Sequence, residues 1–328
     1  MEAQKVQKEL NEIKKDIEKT KQEMSKIVIG QIDIIDGLFR ALLANGHVLV
    51  EGVPGVAKTL IIRTLGAVTG CQVGRIQFTV DLLPTDIVGI TTYHEKLGFQ
   101  VEKGPIFANF VIADEINRAP PKTQSALLEA MQEKQSTIGK QTFKLPLPFF
   151  VMATQNPLEN QGTYPLPEAQ VDRFLFKIIV GYPNKEEEQL ILSTNMTTSQ
   201  FDDYQLKPMI DAKKILKMQE FVKKVYVSEE VKKYIVEIID ATRNPKDYGI
   251  KLGKYIEFGG SPRASIGLFI AAKAEAVIEG KAFVTPQHVK KIAKEVLRHR
   301  FIVNYEGQAE NIKTDDIITE ILSKVKVP

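Results

Sequence analysis

The stretch Gly52-Val53-Pro54-Gly55-Val56-Ala57-Lys58-Thr59-Leu60 follows a short apolar run and leads into a helical pattern. Its residue types suit phosphate binding. Unpaired backbone N–H groups at a helix N-terminus, together with the helix dipole, make an anion site. Lys58 would place a point charge at the β- and γ-phosphates of ATP, and the Thr59 hydroxyl is a ligand for Mg²⁺. The spacing rule G-x-x-x-x-G-K-[ST] asks for glycine at position 57, where alanine stands. That position opens the helix with negative φ, so alanine is sterically acceptable, while Gly52 and Gly55 keep the freedom that the bend needs. A chance Gly-rich turn would match loosely; the strand before, the helix after and the Lys-Thr pair argue against it.

A second group lies in FVIADEINRA, residues 110–119, where Asp114 and Glu115 end an apolar strand. In open parallel sheets ligands bind at that carboxyl edge. One carboxylate would hold Mg²⁺ and its neighbour would polarise an attacking water. Alone, an Asp-Glu pair reads as a solvated loop; coupled to a phosphate loop, it reads as the hydrolytic half of a site. A nucleotide switch that never hydrolyses would not need Glu115. Ser261-Pro262 reads as an N-cap and first-turn proline, which puts Arg263 in the first turn of a helix. A cation there opposes the helix dipole by about 0.3–1 kcal/mol. The triphosphate is the anion that would compensate it, with a surface salt bridge as the plain alternative.

These groups need a scaffold. Residues 47–51, 75–79, 110–114, 149–154 and 174–180 are near-continuous apolar runs separated by helix-length stretches. That texture predicts an α/β fold: a five-stranded parallel sheet covered by helices on both faces. Residues 90–102 and 134–145 read as hairpins around Gly-bearing turns. From residue 184 the pattern is helical, over 186–196, 211–224, 228–241, 263–280, 286–298 and 314–325. The expected division is an amphipathic helix over 1–25, an α/β core over 26–183, and an all-α lid over 184–328. Val6, Leu10, Ile13, Ile17 and Met24 give the first helix a thin stripe, too short for a coiled coil and suited to packing on its own chain.

With 328 residues, 43% hydrophobic and 26% charged, the chain is long enough for two domains and has an ordinary globular composition. Net charge is only +3, so no global field recruits nucleic acid. One cysteine, Cys71, allows no intrachain disulfide and fits a reducing cytosol, and four scattered histidines argue against a protein-built zinc site. The charged N-terminal segment lacks a secretory h-region, and no apolar run is long enough for a membrane span. A cytoplasmic location is expected.

The blocks VEGVPGVAKT (50–59), ADEINRAPPKTQSALLEAMQE (113–133), ATQNPLENQGTYPLPEAQVDRFLF (153–176), GGSPRASIGLFIAAKA (259–274) and VLRHRFIVNYE (296–306) closely resemble the MoxR family of AAA+ ATPases. The resemblance runs from about residue 25 to the end, and alanine at position 57 occurs in such proteins. It implies a Mg²⁺-dependent ATPase working as a homo-oligomeric, commonly hexameric ring. Chaperone-like remodelling or metal insertion would be the output, with a von Willebrand factor A-domain partner. By the same resemblance Asn156 senses the γ-phosphate, Arg173 is the finger that reaches a neighbouring subunit, and Arg263 is the lid's sensor of the γ-phosphate. Ile29-Gly30-Gln31 lies on the adenine side. Arg118 is a rival intersubunit cation, and Tyr93, His94 and Phe99 on the first hairpin either meet a partner or cover the sheet. Two other readings stay open: a nucleic-acid motor of the related helicase branch, and a nucleotide-gated binding scaffold.

Overall fold

A computed structural model describes residues 2–52, 58–96, 98–156, 162–193 and 201–328. Its first half runs α1 (Glu2–Met24), α2 (Ile32–Leu43), β1 (Val48–Gly52), α3 (Lys58–Thr69), β2 (Val73–Gln77), α4 (Pro84–Val88), β3 (Gly89–His94), β4 (Gly98–Lys103) and β5 (Phe110–Asp114). There follow α5 (Pro121–Glu133), β6 (Gln135–Ile138), β7 (Gln141–Lys144), β8 (Phe150–Gln155), α6 (Glu168–Val171) and β9 (Phe176–Val180). The helical half comprises α7 (Lys185–Ser193), α8 (Ala212–Lys224), α9 (Glu229–Arg243), β10 (Ile256–Phe258), α10 (Pro262–Ile278), α11 (Pro286–Leu297), β11 (Ile302–Val303), α12 (Tyr305–Ala309) and α13 (Thr314–Lys324).

The five apolar runs are the five strands of one parallel sheet, ordered β2-β5-β8-β1-β9. Side chains alternate between its faces, as a two-residue repeat requires. Val48, Val50, Ile112, Met152 and Ile178 join one buried cluster, which continues through α1, α2 and α3 into the helical half. Leu49, Val111, Ala113, Val151 and Ala153 face the other way, beneath Leu127, Leu128 and Met131 of α5. Both predicted hairpins form, as β3–β4 and β6–β7. The lid adds one feature to the expected all-α pattern, a short antiparallel pair of β10 and β11. Strands of three and two residues are too short for an alternating signal to show in sequence.

Leu10, Ile13, Ile17 and Met24 of α1 are buried, and the helix packs on both α3 and α10. Burying such a side chain contributes about 1.5–3 kcal/mol, so all of the stripe but exposed Val6 is consumed within its own chain. The helical half docks behind the sheet: α10 packs on α2, α8 on α2, and α11 against β9. Buried Arg40 of α2 reinforces this contact. Its Nε donates to Glu275 at 2.5 Å, and its Nη1 lies 2.9 Å from Glu295.

Candidate functional site

Parallel register brings the ends of β1, β5 and β8 together at one edge of the sheet, with Gly52, Asp114 and Gln155 closing the three strands. Gly52 is required by a close approach: a Cβ there would stand 2.6 Å from the Val180 carbonyl oxygen. Lys58 Nζ donates to the Gly52 carbonyl at 2.5 Å. Burial holds the Lys58 ammonium below its ordinary pKa, opposed by the charges of Asp114, Glu115 and Glu51. A half-buried cation with three acids around it is suited to a polyanion that arrives with its own metal.

Asp114 is the hub of the edge. Thr59 Oγ1 donates to its Oδ2 at 3.2 Å, Arg75 Nε donates to the same oxygen at 2.9 Å, and Thr154 Oγ1 donates to Oδ1 at 3.4 Å. The Thr154 hydroxyl also accepts the Glu115 backbone N–H at 2.9 Å. Glu115 itself has left-handed backbone angles, φ 56° and ψ 50°. For a residue with a Cβ this costs roughly 1–2 kcal/mol, and such strain concentrates where geometry matters to function. Its Oε2 accepts from Gln77 Nε2 at 3.0 Å and from Arg118 Nη1 at 2.9 Å. Arg118, expected as a rival intersubunit cation, is therefore engaged by the carboxylate of its own chain. Asn156 follows β8 at the same edge and is nearly buried.

The Thr59 hydroxyl and the Asp114 carboxylate, already within hydrogen-bonding distance, are a donor set that fits Mg²⁺. Among the described residues no cluster of three His, Cys, Asp or Glu is placed to hold a metal. Val53, Pro54, Gly55, Val56 and Ala57 of the phosphate loop lie outside the described residues. Leu60 is part of α3. In the segment expected on the adenine side, Gly30 has φ +69°, and a Cβ there would run into the Glu187 side chain of α7. Ile29 beside it is half-buried.

Arg173 and Arg263 are elsewhere. Arg173 precedes β9, beside the start of β1, where the Leu175 N–H donates to the His47 carbonyl at 2.9 Å. The strand length separates this amino edge from Lys58 by roughly 15 Å, at about 3.3 Å per residue. Arg173 and Arg263 line a cavity of about 400 Å³ with Asp172, Arg300, His47 and Lys134. The sequence reading grouped Arg263 with Lys58 around one triphosphate. The structure places it instead 3.8 Å from Asp172, because α10 and α11 dock behind the sheet. Its helix does begin as expected, with Ser261 Oγ accepting the Arg263 N–H at 3.2 Å. Arg75, Gln77, Thr154 and Lys134 went unread as site residues. Only the strand order and the docked lid bring them to the two edges.

On the first hairpin, cross-strand partners Tyr93 and Phe99 pack edge to face with centroids 5.3 Å apart. Both are exposed, and His94 ends the strand beside them, so these side chains do not cover the sheet.

Comparison with known proteins matches this arrangement. The profile of the ATPase family associated with various cellular activities (AAA) fits residues 47–176, and that of the AAA lid domain fits residues 253–321. Chaperone MoxR1 of Mycobacterium tuberculosis is 46% identical over 308 residues, which cover 93% of this chain and 81% of that protein. The chain belongs to the MoxR family of AAA+ ATPases. YeaC of Bacillus subtilis is 44% identical over 311 residues, 94% of each chain. A crystal structure of a candidate ATPase from Cytophaga hutchinsonii superimposes with a TM-score of 0.93 at 44% identity, covering 100% of this chain and 99% of that one. The fold, an AAA core with its lid, is thus shared with the C. hutchinsonii structure.

Proposed function

We propose that this MoxR-family chain hydrolyses ATP with Mg²⁺, and does so as a ring in which each site is completed by a neighbouring copy. One observation carries the reading. Lys58, Thr59, Asp114, Glu115 and Asn156 gather at the carboxyl edge of the sheet, whereas Arg173 and Arg263 gather at the amino edge. No single copy can bring both sets to one phosphate, but two copies stacked edge to edge can.

In this reading Lys58 holds the β- and γ-phosphates, and Thr59 and Asp114 hold the metal. When bound, Mg²⁺ draws charge from the phosphate oxygens and steadies the leaving group. Glu115 accepts a proton from water as the water oxygen bonds to the γ-phosphorus. The bond from that phosphorus to the bridging oxygen breaks, giving ADP and phosphate. Asn156 orients the water, and the neighbour's Arg173 stabilises charge on the transferring group, an effect worth about 10³–10⁵ in rate in arginine-finger systems. Gln77 and Arg118 both donate to Glu115 Oε2 and orient the carboxylate, whose other oxygen would take the proton.

The output proposed is chaperone-like remodelling of a partner, or maturation of it by metal insertion, in the cytoplasm. A protein with a von Willebrand factor A domain is the partner that family resemblance suggests. The name of the M. tuberculosis relative, a chaperone, supports the first of these outputs. No helix among the described residues is long and apolar enough to cross a membrane.

Steady-state phosphate release by the purified chain, measured beside its mass in solution, tests the reading. Glu115→Gln should keep ATP binding and lower turnover by about 10²–10⁴, the range for loss of a general base. Unchanged turnover in that variant would remove Glu115 from the mechanism.

A further inference from the structure

At the junction between α5 and β6, Lys134 takes the left-handed conformation, φ 52° and ψ 31°. Helices that end this way usually use glycine at such a position, because a Cβ is strained there by roughly 1–2 kcal/mol. A lysine that accepts the strain needs a reason. Attraction to the helix dipole would supply only about 0.3–1 kcal/mol and asks nothing of where the ammonium points. Here the ammonium is directed: Nζ donates to Asn45 Oδ1 at 2.7 Å, in the wall of the cavity that Arg173 and Arg263 also line.

The charge balance of that cavity is one-sided. Its lining contains Lys134, Arg173, Arg263 and Arg300 against a single acid, Asp172. Arg300 already takes Asp172 Oδ1, at 2.9 Å. His47 is buried and held neutral, with a pKa pushed down to about 4 by burial. Among the described residues no carboxylate pairs with Lys134. Burial and the nearby charge of Lys223 both push its pKa down. A partly desolvated ammonium with only an amide oxygen for company gains most from an incoming anion.

We propose that Lys134 is a third cation which one copy presents, with Arg173 and Arg263, to the terminal phosphates of the nucleotide held by its neighbour, and that it ties occupancy of this cavity to the β6–β7 hairpin. This rests on the ring reading above. The link to the hairpin is covalent and short. The Lys134 N–H closes α5 on the Ala130 carbonyl at 2.9 Å, and its own carbonyl accepts the Leu145 N–H at 3.0 Å, closing the base of the hairpin. Moving the ammonium from Asn45 to a phosphate therefore pulls on the pivot of the hairpin.

Lys134→Gly tests this without a folding ambiguity, since glycine relieves the strained φ. Its melting temperature should equal or exceed the parent's. ATP turnover should fall about tenfold to a hundredfold, less than for an arginine finger. The variant should regain turnover when mixed with Lys58→Ala, which cannot hold nucleotide but carries an intact amino edge. Amide exchange over residues 135–144 should respond to a non-hydrolysable ATP analogue in the parent and not in Lys134→Gly. Unchanged turnover, or a loss that mixing does not repair while Arg173→Ala is repaired by the same partner, overturns the proposal. If Arg173→Ala is not repaired either, the ring reading itself fails, and the role of Lys134 falls with it.

Discussion

The Arg263 guanidinium stands 3.8 Å from the Asp172 carboxylate, which joins the lid to the residue next to Arg173. Asp172 also accepts from Ser261 Oγ at 3.2 Å and from Arg300 Nε at 2.9 Å. Arg300 in turn donates to the Phe174 carbonyl at 2.9 Å, so Arg263 and Arg300 both hang on the carboxylate beside Arg173.

Asp172→Asn keeps the shape of that carboxylate but leaves buried Arg300 without a counter-charge. Removing one partner of a buried pair costs about 3–5 kcal/mol. Chemical denaturation should show a loss of that order, and turnover should fall with it. The double variant Asp172→Asn, Arg300→Met should recover much of the stability. Recovery of stability without turnover would separate the positioning of Arg173 and Arg263 from the packing of the lid.

At the other edge, Arg75 shares Asp114 Oδ2 with Thr59, and Asp114 and Thr59 are the two residues that would hold Mg²⁺. The Arg75 side chain is about half exposed, so this contact is worth at most about 1 kcal/mol. Arg75→Ala should therefore lower the Mg²⁺ concentration for half-maximal turnover by up to about fivefold. A metal titration of phosphate release measures it; an increased metal requirement would mean that Arg75 helps rather than competes.

Whereas Asn156 was read only through family resemblance, Lys58, Thr59, Asp114 and Glu115 were legible in the sequence because each stands at the end of an apolar run or the start of a helix. Local pattern fixes such positions. Arg75, Gln77 and Thr154 read only as strand residues, since their part depends on β2, β5 and β8 being neighbours, and strand order leaves no local trace. The edge to which Arg263 belongs depends on contacts between distant segments: Arg40 with Glu275 and Glu295, Arg298 with the Lys177 carbonyl, and Arg300 with Asp172. Helical spacing and capping identified α10 correctly and said nothing about which side of the sheet it would cover.

Those contacts also predict stiffness. Arg40 is buried with its charge shared between Glu275 and Glu295, and Lys291 pairs with Glu275 from the surface. Burial pushes the Glu295 carboxyl up against the opposing pull of Arg40, so the pair depends on that guanidinium. Arg40→Ala should destabilise by about 3–5 kcal/mol. It should also split a single unfolding transition into two, as the helical half comes away from the sheet. Coincident transitions monitored by a probe on each half would show that the shared apolar cluster alone keeps them together.

A final expectation concerns pH. His47 is buried between Val151, whose N–H it accepts at Nδ1 at 3.1 Å, and the Met131 carbonyl, 3.2 Å from Nε2. Burial pushes its pKa down to about 4, from an unfolded value near 6.5. A depressed value means that the unfolded chain binds a proton more readily than the folded one as pH falls. Stability from His47 is thus fully present above about pH 6.5 and is lost progressively down to about pH 4. The displacement corresponds to a loss of order 3 kcal/mol at about 1.36 kcal/mol per pH unit. Half-buried His299 is lowered well below its ordinary value by desolvation as well, and adds a loss of the same sign. Melting temperatures measured from pH 7 to pH 5 should fall steadily. In His47→Gln, whose amide can still accept from Val151 and donate to Met131, the slope should be shallower. An equal slope in parent and variant would show that His47 is not kept neutral by its surroundings.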